Sequence, residues 1–206
     1  MPFQWYESLG EYRDAGRFIS QREIDGAVDR VIQIGAERMR ALTGDLQEGK
    51  ITVASRQTSM AREIKDLHLG AAMIARGGRE QMTLGDWGWT GQRIRVQYQY
   101  LREFAADIVS GHAKMEGRLQ VRAAMYAAAA RGTQREMTRR VASRNGREQE
   151  RNLLGASDRH CGACVSATAQ GWVPIGTLPA IGSRTCLSHC RCSMRYRTLG
   201  PARLAA

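Results

Sequence analysis

Five cysteines, Cys161, Cys164, Cys186, Cys190 and Cys192, fall within 32 residues near the end of a 206-residue chain. They form the pattern Cys-x2-Cys-x21-Cys-x3-Cys-x-Cys, with His160 and His189 beside it. A Cys-x-x-Cys pair supplies two corners of a zinc tetrahedron from one tight turn, and a second pair from 186–192 completes the set. Four thiolates leave no open coordination position, so the expected zinc is structural, one per chain. Spacing does not decide which four of the five cysteines ligate, and the two histidines are weaker candidates. Disulfide pairing and free thiols in a small core stay open as alternatives. The odd count suits four ligands and a spare better than complete pairing.

Other residues capable of chemistry are scattered. There is no Walker loop, no Gly-x-Ser-x-Gly elbow and no His-Glu-x-x-His motif, so no enzymatic activity is expected. His68 and His112 sit in helical or helix-end contexts that suit satisfied, non-catalytic histidines. Asp86, Glu103, Asp107 and Glu116 lie at helical distances from arginines, where ion pairing accounts for them. Asp158 precedes the first cysteine and suits a turn cap, or a hydrogen-bond partner of a ligand.

The elements that must position the cysteines come earlier. Residues 1–19 form an aromatic, glycine-interrupted arm with Trp5, Tyr6, Tyr12 and Phe18. Ser20-Gln21-Arg22-Glu23 has the form of a capping box. Behind it Ile24, Val28, Val31, Ile32, Met39 and Leu42 recur at helical spacing as far as Gly44. Further apolar stripes predict helices over 52–76, over 90–110 and from about 113 to 145, with a loop holding Asp86-Trp87-Gly88-Trp89 before the third. Trp87 and Trp89, like Trp5, Tyr6 and Tyr12, are candidate interface rings, since rigid aromatics bind at low entropy cost. The prediction is a mainly α protein: a helical bundle body over 20–150, then a cysteine-rich, zinc-knuckle-like module over 151–206. In that module Gly171–Ile175 and Ser193–Tyr196 are expected to form a β-hairpin, with Trp172 covering the small core.

Composition bounds the partners. The apolar fraction of 43% and charged fraction of 25% belong to a globular chain. The net charge is +11, and Lys50, Lys65 and Lys114 are the only lysines, so arginine carries the excess. Arginine pairs bidentately with phosphate and carboxylate, which suits a polyanion or a large acidic assembly partner. A GC-rich genome, which encodes arginine by default, would produce the same bias. No run approaches a membrane span, and the N-terminal residues lack a basic segment followed by an apolar one. Synthesis in a reducing cytoplasm is expected, where clustered cysteines point to metal before disulfide.

Leu154-Gly155-Ala156-Ser157-Asp158, the Cys161-x-x-Cys164 pair, Gly171, Leu178-Pro179 and the closing Cys190-Arg191-Cys192 together resemble a family pattern. It is the C-terminal motif of the Mu F-like minor head, or head morphogenesis, proteins of tailed phages. The resemblance covers about 45 residues. The family places a histidine three residues before the Cys-Arg-Cys, where this chain has Leu187; Cys186 or His189 stands in its place. The resemblance implies a structural, multi-copy role in the virion, at the portal or inner capsid, made in the host cytoplasm. Its implied partners are portal, capsid or connector proteins, and packaged DNA through the arginines. A zinc-containing, non-specific nucleic-acid-binding protein is the alternative, and a metal-dependent nuclease ranks below both.

Overall fold

The computed structural model describes residues 4–6, 11–157 and 159–199, excepting the side chains of 4–6, 11, 21 and 188. The chain divides into two compact units, Met1–Gln134 and Arg135–Ala206. The division falls inside the fourth helix.

The first unit opens with a three-stranded antiparallel sheet, β1 (Gln4–Tyr6), β2 (Glu11–Asp14) and β3 (Arg17–Ile19), in that order. The described residues of the arm expected over 1–19 thus form a sheet. The β2–β3 turn places Ala15 at φ +46° and Gly16 at φ +86°, the paired left-handed conformation that follows the twist of a tight hairpin. Inside the unit, Tyr12, Ile19, Ile24, Val28 and Ile74 form one buried cluster. The Tyr12 hydroxyl donates to the Ala75 carbonyl at 2.5 Å. Tyr12 is therefore a core anchor rather than a ring offered to a partner, and burial raises its pKa. The rings of Trp5 and Tyr6 lie outside the described residues.

Helix α1 (Gln21–Gln47) starts at the anticipated capping box. The Ser20 amide donates to the Glu23 carboxylate at 2.8 Å, and the Glu23 amide donates back to Ser20 Oγ. These bonds from Ser20 hold the Glu23 carboxyl down to about 2. The helix runs past Gly44, its last turn fixed by buried Leu46. Helix α2 (Val53–Arg76) is capped by Thr52 and closed by Gly77 at φ +94°, whose amide bonds Met73 and Ile74 carbonyls. Helix α3 (Leu84–Val109) begins earlier than expected. Thr83 and Asp86 form a second capping box, so Asp86, Trp87 and Trp89 lie in opening turns of a helix rather than in a loop. Buried Asp86 also faces Arg76 Nε at 3.4 Å, tying the start of α3 to the end of α2. Helix α4 (Gly117–Arg144) completes the set.

Residues from all four helices share one core, including Met39, Met60, Ile64, Leu67, Leu101, Phe104, Leu119 and Ala127. Burying each larger side chain contributes about 1.5–3 kcal/mol before entropy is charged against it. A helical bundle body is thus present. A guanidinium sits inside it: Arg56, with no exposed surface, lies 4.6 Å from the Phe104 ring centroid and donates from Nε to Thr43 Oγ1. Burial pushes its pKa down to about 10. Among the described residues, no helix is long and apolar enough to cross a membrane.

The second unit holds the end of α4, then β4 (Gln149–Leu153), α5 (Gly162–Ala169), β5 (Val173–Pro174) and β6 (Ser193–Arg197). The sheet order is β5-β4-β6. The two expected strands do exist, but they do not pair with each other. Each pairs antiparallel with β4, a central strand the sequence did not announce. Its polar Gln-Glu-Arg-Asn composition hides it, because Glu150 and Asn152 point inward to hydrogen-bonded partners rather than to apolar ones.

Candidate metal centre

All five cysteines converge in the second unit. Cys161 occupies the N-cap of α5 and Cys164 its first turn, where the Cys164 amide donates to the Cys161 carbonyl at 2.9 Å. Cys186 and Cys190 flank a short 3-10 turn, Leu187–His189, and Cys192 leads into β6. Leu187 adopts φ +44°, a left-handed conformation that a branched side chain enters at a cost. That turn brings Cys186 and Cys190 to the same side.

The sulfurs lie close without being bonded. Sγ separations are 3.5 Å for Cys161–Cys186, 3.6 Å for Cys164–Cys186 and 3.7 Å for Cys164–Cys190. A disulfide requires about 2.05 Å, and no disulfide joins any of the five cysteines. Zinc–sulfur bonds of about 2.3 Å give a tetrahedral edge of about 3.8 Å, close to the three separations found. Two groups, Cys161–Cys164–Cys186 and Cys164–Cys190–Cys192, each gather three sulfurs within 4.8 Å of one another. The cluster can hold a metal ion, and Cys164 belongs to both groups. His160 and His189 border the cavity at these sulfurs, with Ser157, Arg159 and Arg191 on its rim.

The sulfurs differ in ionisation. Hydrogen bonding from Cys164 lowers Cys161 to about 7. Burial pushes Cys186 up to about 11, and pushes Cys164 up more strongly against the opposing pull of Arg184. A buried thiol that resists ionisation alone is readily deprotonated by a bound dication.

A polar frame holds the cluster, and none of it was evident from spacing. Arg184 is 3% exposed. Its Nε and Nη2 donate to the Pro179 carbonyl at 3.0 and 2.7 Å, and its Nη1 donates to Asn152 Oδ1 at 2.8 Å. The same Nη1 lies 3.7 Å from Cys164 Sγ. Asn152 donates in turn to Thr168 Oγ1 at 2.6 Å and to the Cys164 carbonyl at 3.3 Å. One register step along β4, fully buried Glu150 accepts from the Leu178 amide at 2.9 Å and pairs with Arg139 Nε at 2.9 Å. Arg135 donates to the Cys190 carbonyl at 3.2 Å. At Gly155, an added Cβ would stand 2.0 Å from the Arg191 carbonyl oxygen. Backbone meets backbone there, so the glycine ahead of the motif is a packing requirement of Cys190-Arg191-Cys192.

The other candidates fall elsewhere. Trp172 is not among the residues packed on the thiols; its ring lies 4.4 Å beneath the Arg197 guanidinium. His68 is buried, with Nδ1 2.7 Å from Thr133 Oγ1, and His112 is exposed beside Ser110. Trp87 and Trp89 are half-buried, and Arg93 lies 5.8 Å from the Trp89 ring centroid. Asp158 lies outside the described residues. Compared with known proteins, the chain matches no family model, no curated protein and no solved structure.

Proposed function

We propose that this chain is a structural minor head protein of a tailed phage whose C-terminal unit is stapled by one zinc ion. The observation that carries the reading is the meeting of Cys161-x-x-Cys164 with Cys190-Arg191-Cys192 around Cys186, since these are residues of the Mu F-like pattern. The Sγ separations favour Cys161, Cys164, Cys186 and Cys190 as ligands, with Cys192 as the fifth, buried sulfur. A dication held by four thiolates carries a net charge of −2. The Arg184 guanidinium, which faces Cys164 and meets no carboxylate among the described residues, offsets part of that charge. Four sulfurs close the coordination sphere, so the metal holds structure and turns over no substrate.

In this reading the protein acts in a multi-copy assembly with portal, capsid or connector proteins, in head assembly or DNA delivery. Trp87 and Trp89, half-buried at the start of α3, are rings that can meet such a partner. Mass spectrometry of protein purified under reducing conditions should find about one zinc per chain, with thiols unreactive until a chelator is added. No metal, with all five thiols titrating freely, would remove the staple. Infectious particles lacking the protein after gene deletion would remove the virion role.

A further inference from the structure

Charge is not spread evenly over the molecule. Arg135–Ala206 contains twelve arginines and no lysine against four carboxylates, Glu136, Glu148, Asp158 and Glu150, a formal +8. The preceding 134 residues carry the remaining +3. Within the second unit, three of the twelve arginines, Arg151, Arg195 and Arg197, share the outward face of the β5-β4-β6 sheet.

Register fixes that face. Arg151 on β4 stands directly opposite Arg195 on β6, and Gln149 stands opposite Arg197. Arg195 and Arg197 are exposed and Arg151 half-buried, while the alternate positions Glu150 and Asn152 point inward. Like charges directly opposite in an antiparallel ladder destabilise it. No carboxylate among the described residues pairs with Arg151, Arg195 or Arg197, and Arg151 Nε is buried without a hydrogen-bond partner. Arg197 is held in place: its Nε donates to Gln149 Oε1 at 2.8 Å, and the Trp172 ring lies 4.4 Å from its guanidinium carbon. Alternate residues on one strand lie about 6.8 Å apart, a step that suits successive phosphates of a nucleic-acid backbone.

We propose that this sheet face, with Arg151, Arg195 and Arg197 set by Gln149 and Trp172, is a binding surface for the phosphate backbone of nucleic acid. An unneutralised arginine pair is costly in the free protein and becomes favourable when an anion bridges it. Guanidinium forks match phosphate oxygens bidentately. Arg197 lies over one face of Trp172, and the groups on offer are guanidinium forks, so recognition is of backbone and independent of sequence. This inference does not depend on where the protein resides, and it stands or falls separately from the virion role.

The test is binding of the full chain, purified under reducing conditions, to a mixed-sequence 20-base-pair duplex by fluorescence anisotropy. Three phosphate contacts should weaken binding about 40-fold between 50 and 200 mM salt. The triple substitution Arg151→Gln, Arg195→Gln, Arg197→Gln should abolish most of the affinity while helicity and metal content are unchanged. A control of equal charge, Arg22→Gln, Arg30→Gln, Arg40→Gln on exposed positions of α1, should bind within threefold of the parent. Equal losses in both variants would show that net charge alone binds, and would overturn the proposal. Absence of binding at 50 mM salt would overturn it too. Displacement of the duplex by polyglutamate at equal charge concentration would assign the face to an acidic protein instead.

Discussion

The two units of this chain hold themselves together by opposite means. In Met1–Gln134 four helices enclose a shared apolar core, within which buried Arg56 and His68 each meet a threonine hydroxyl, Thr43 and Thr133. In Arg135–Ala206 the cluster around the site consists of Cys164, Cys190, Cys192 and Ile181, three sulfurs to one aliphatic side chain. Around it lie Arg184, Asn152, Glu150 and Arg139 in a buried polar frame. Chains of this size, about 70–80 residues, seldom gain more than 3–5 kcal/mol from an apolar core alone. Under the zinc reading proposed above, one polypeptide folds half by burial and half by coordination, and each half should then fail in its own way.

The largest expected effect is on the coordinated half. Cys164→Ser removes the sulfur common to both groups of three, and structural zinc contributes about 10–16 kcal/mol of apparent folding free energy in small metal domains. Amide hydrogen exchange should show residues 155–199 unprotected while the helices over 21–134 keep their protection. Loss of protection throughout the chain would make the contrast between units false.

Acid should find the buried half first. Desolvation holds His68 down to about 4, against 6.5 when exposed. The unfolded chain therefore takes the proton first as pH falls. The contribution of this site is intact above about pH 6.5, is lost progressively below it, and is fully lost by about pH 4, a change of about 3 kcal/mol. Denaturant unfolding at pH 7 and 4.5 should show His68→Gln losing correspondingly less stability than the parent. Equal losses would mean that other groups carry the acid response.

Gly155→Ala sharpens the comparison at one backbone contact. Its Cβ has no room against the Arg191 carbonyl, so a cost of about 1–3 kcal/mol is expected in the second unit. A fall in metal affinity by chelator competition, with the helical melting transition unchanged, would locate the damage at the Cys-Arg-Cys turn. Ser20→Ala, the smallest change, removes the α1 cap and should cost about 1 kcal/mol in the first unit. Metal affinity should not move.

The legibility of the sequence followed the same divide. Helices were visible because Ile24, Val28, Met39, Met60, Ile64 and Leu101 repeat at the period of the element they build, and Ser20–Glu23 and Gly77 mark their ends. The capping role of Thr83 and Asp86 is hidden, because Gly85, Trp87, Gly88 and Trp89 obscure the opening turns of α3. The cysteines announced themselves by type and spacing. Glu150, Asn152 and Arg184 did not, since a buried polar residue looks like a surface one until its partners are known. The sheet pairing was missed for the same reason, because β4 has no apolar alternation to betray it.

The order of strands in the second unit carries a kinetic consequence. The central strand is made first, and Leu153 must wait for Ser193, forty residues later, before the longer edge of the sheet can close. Such a distant pairing is slow to find, because the entropy of loop closure is spent before any ladder bond repays it. Thiols on both sides of that loop, drawn to one ion, would shorten the search. The free metal concentration would then govern how fast this half of the molecule matures, as well as how firmly it holds.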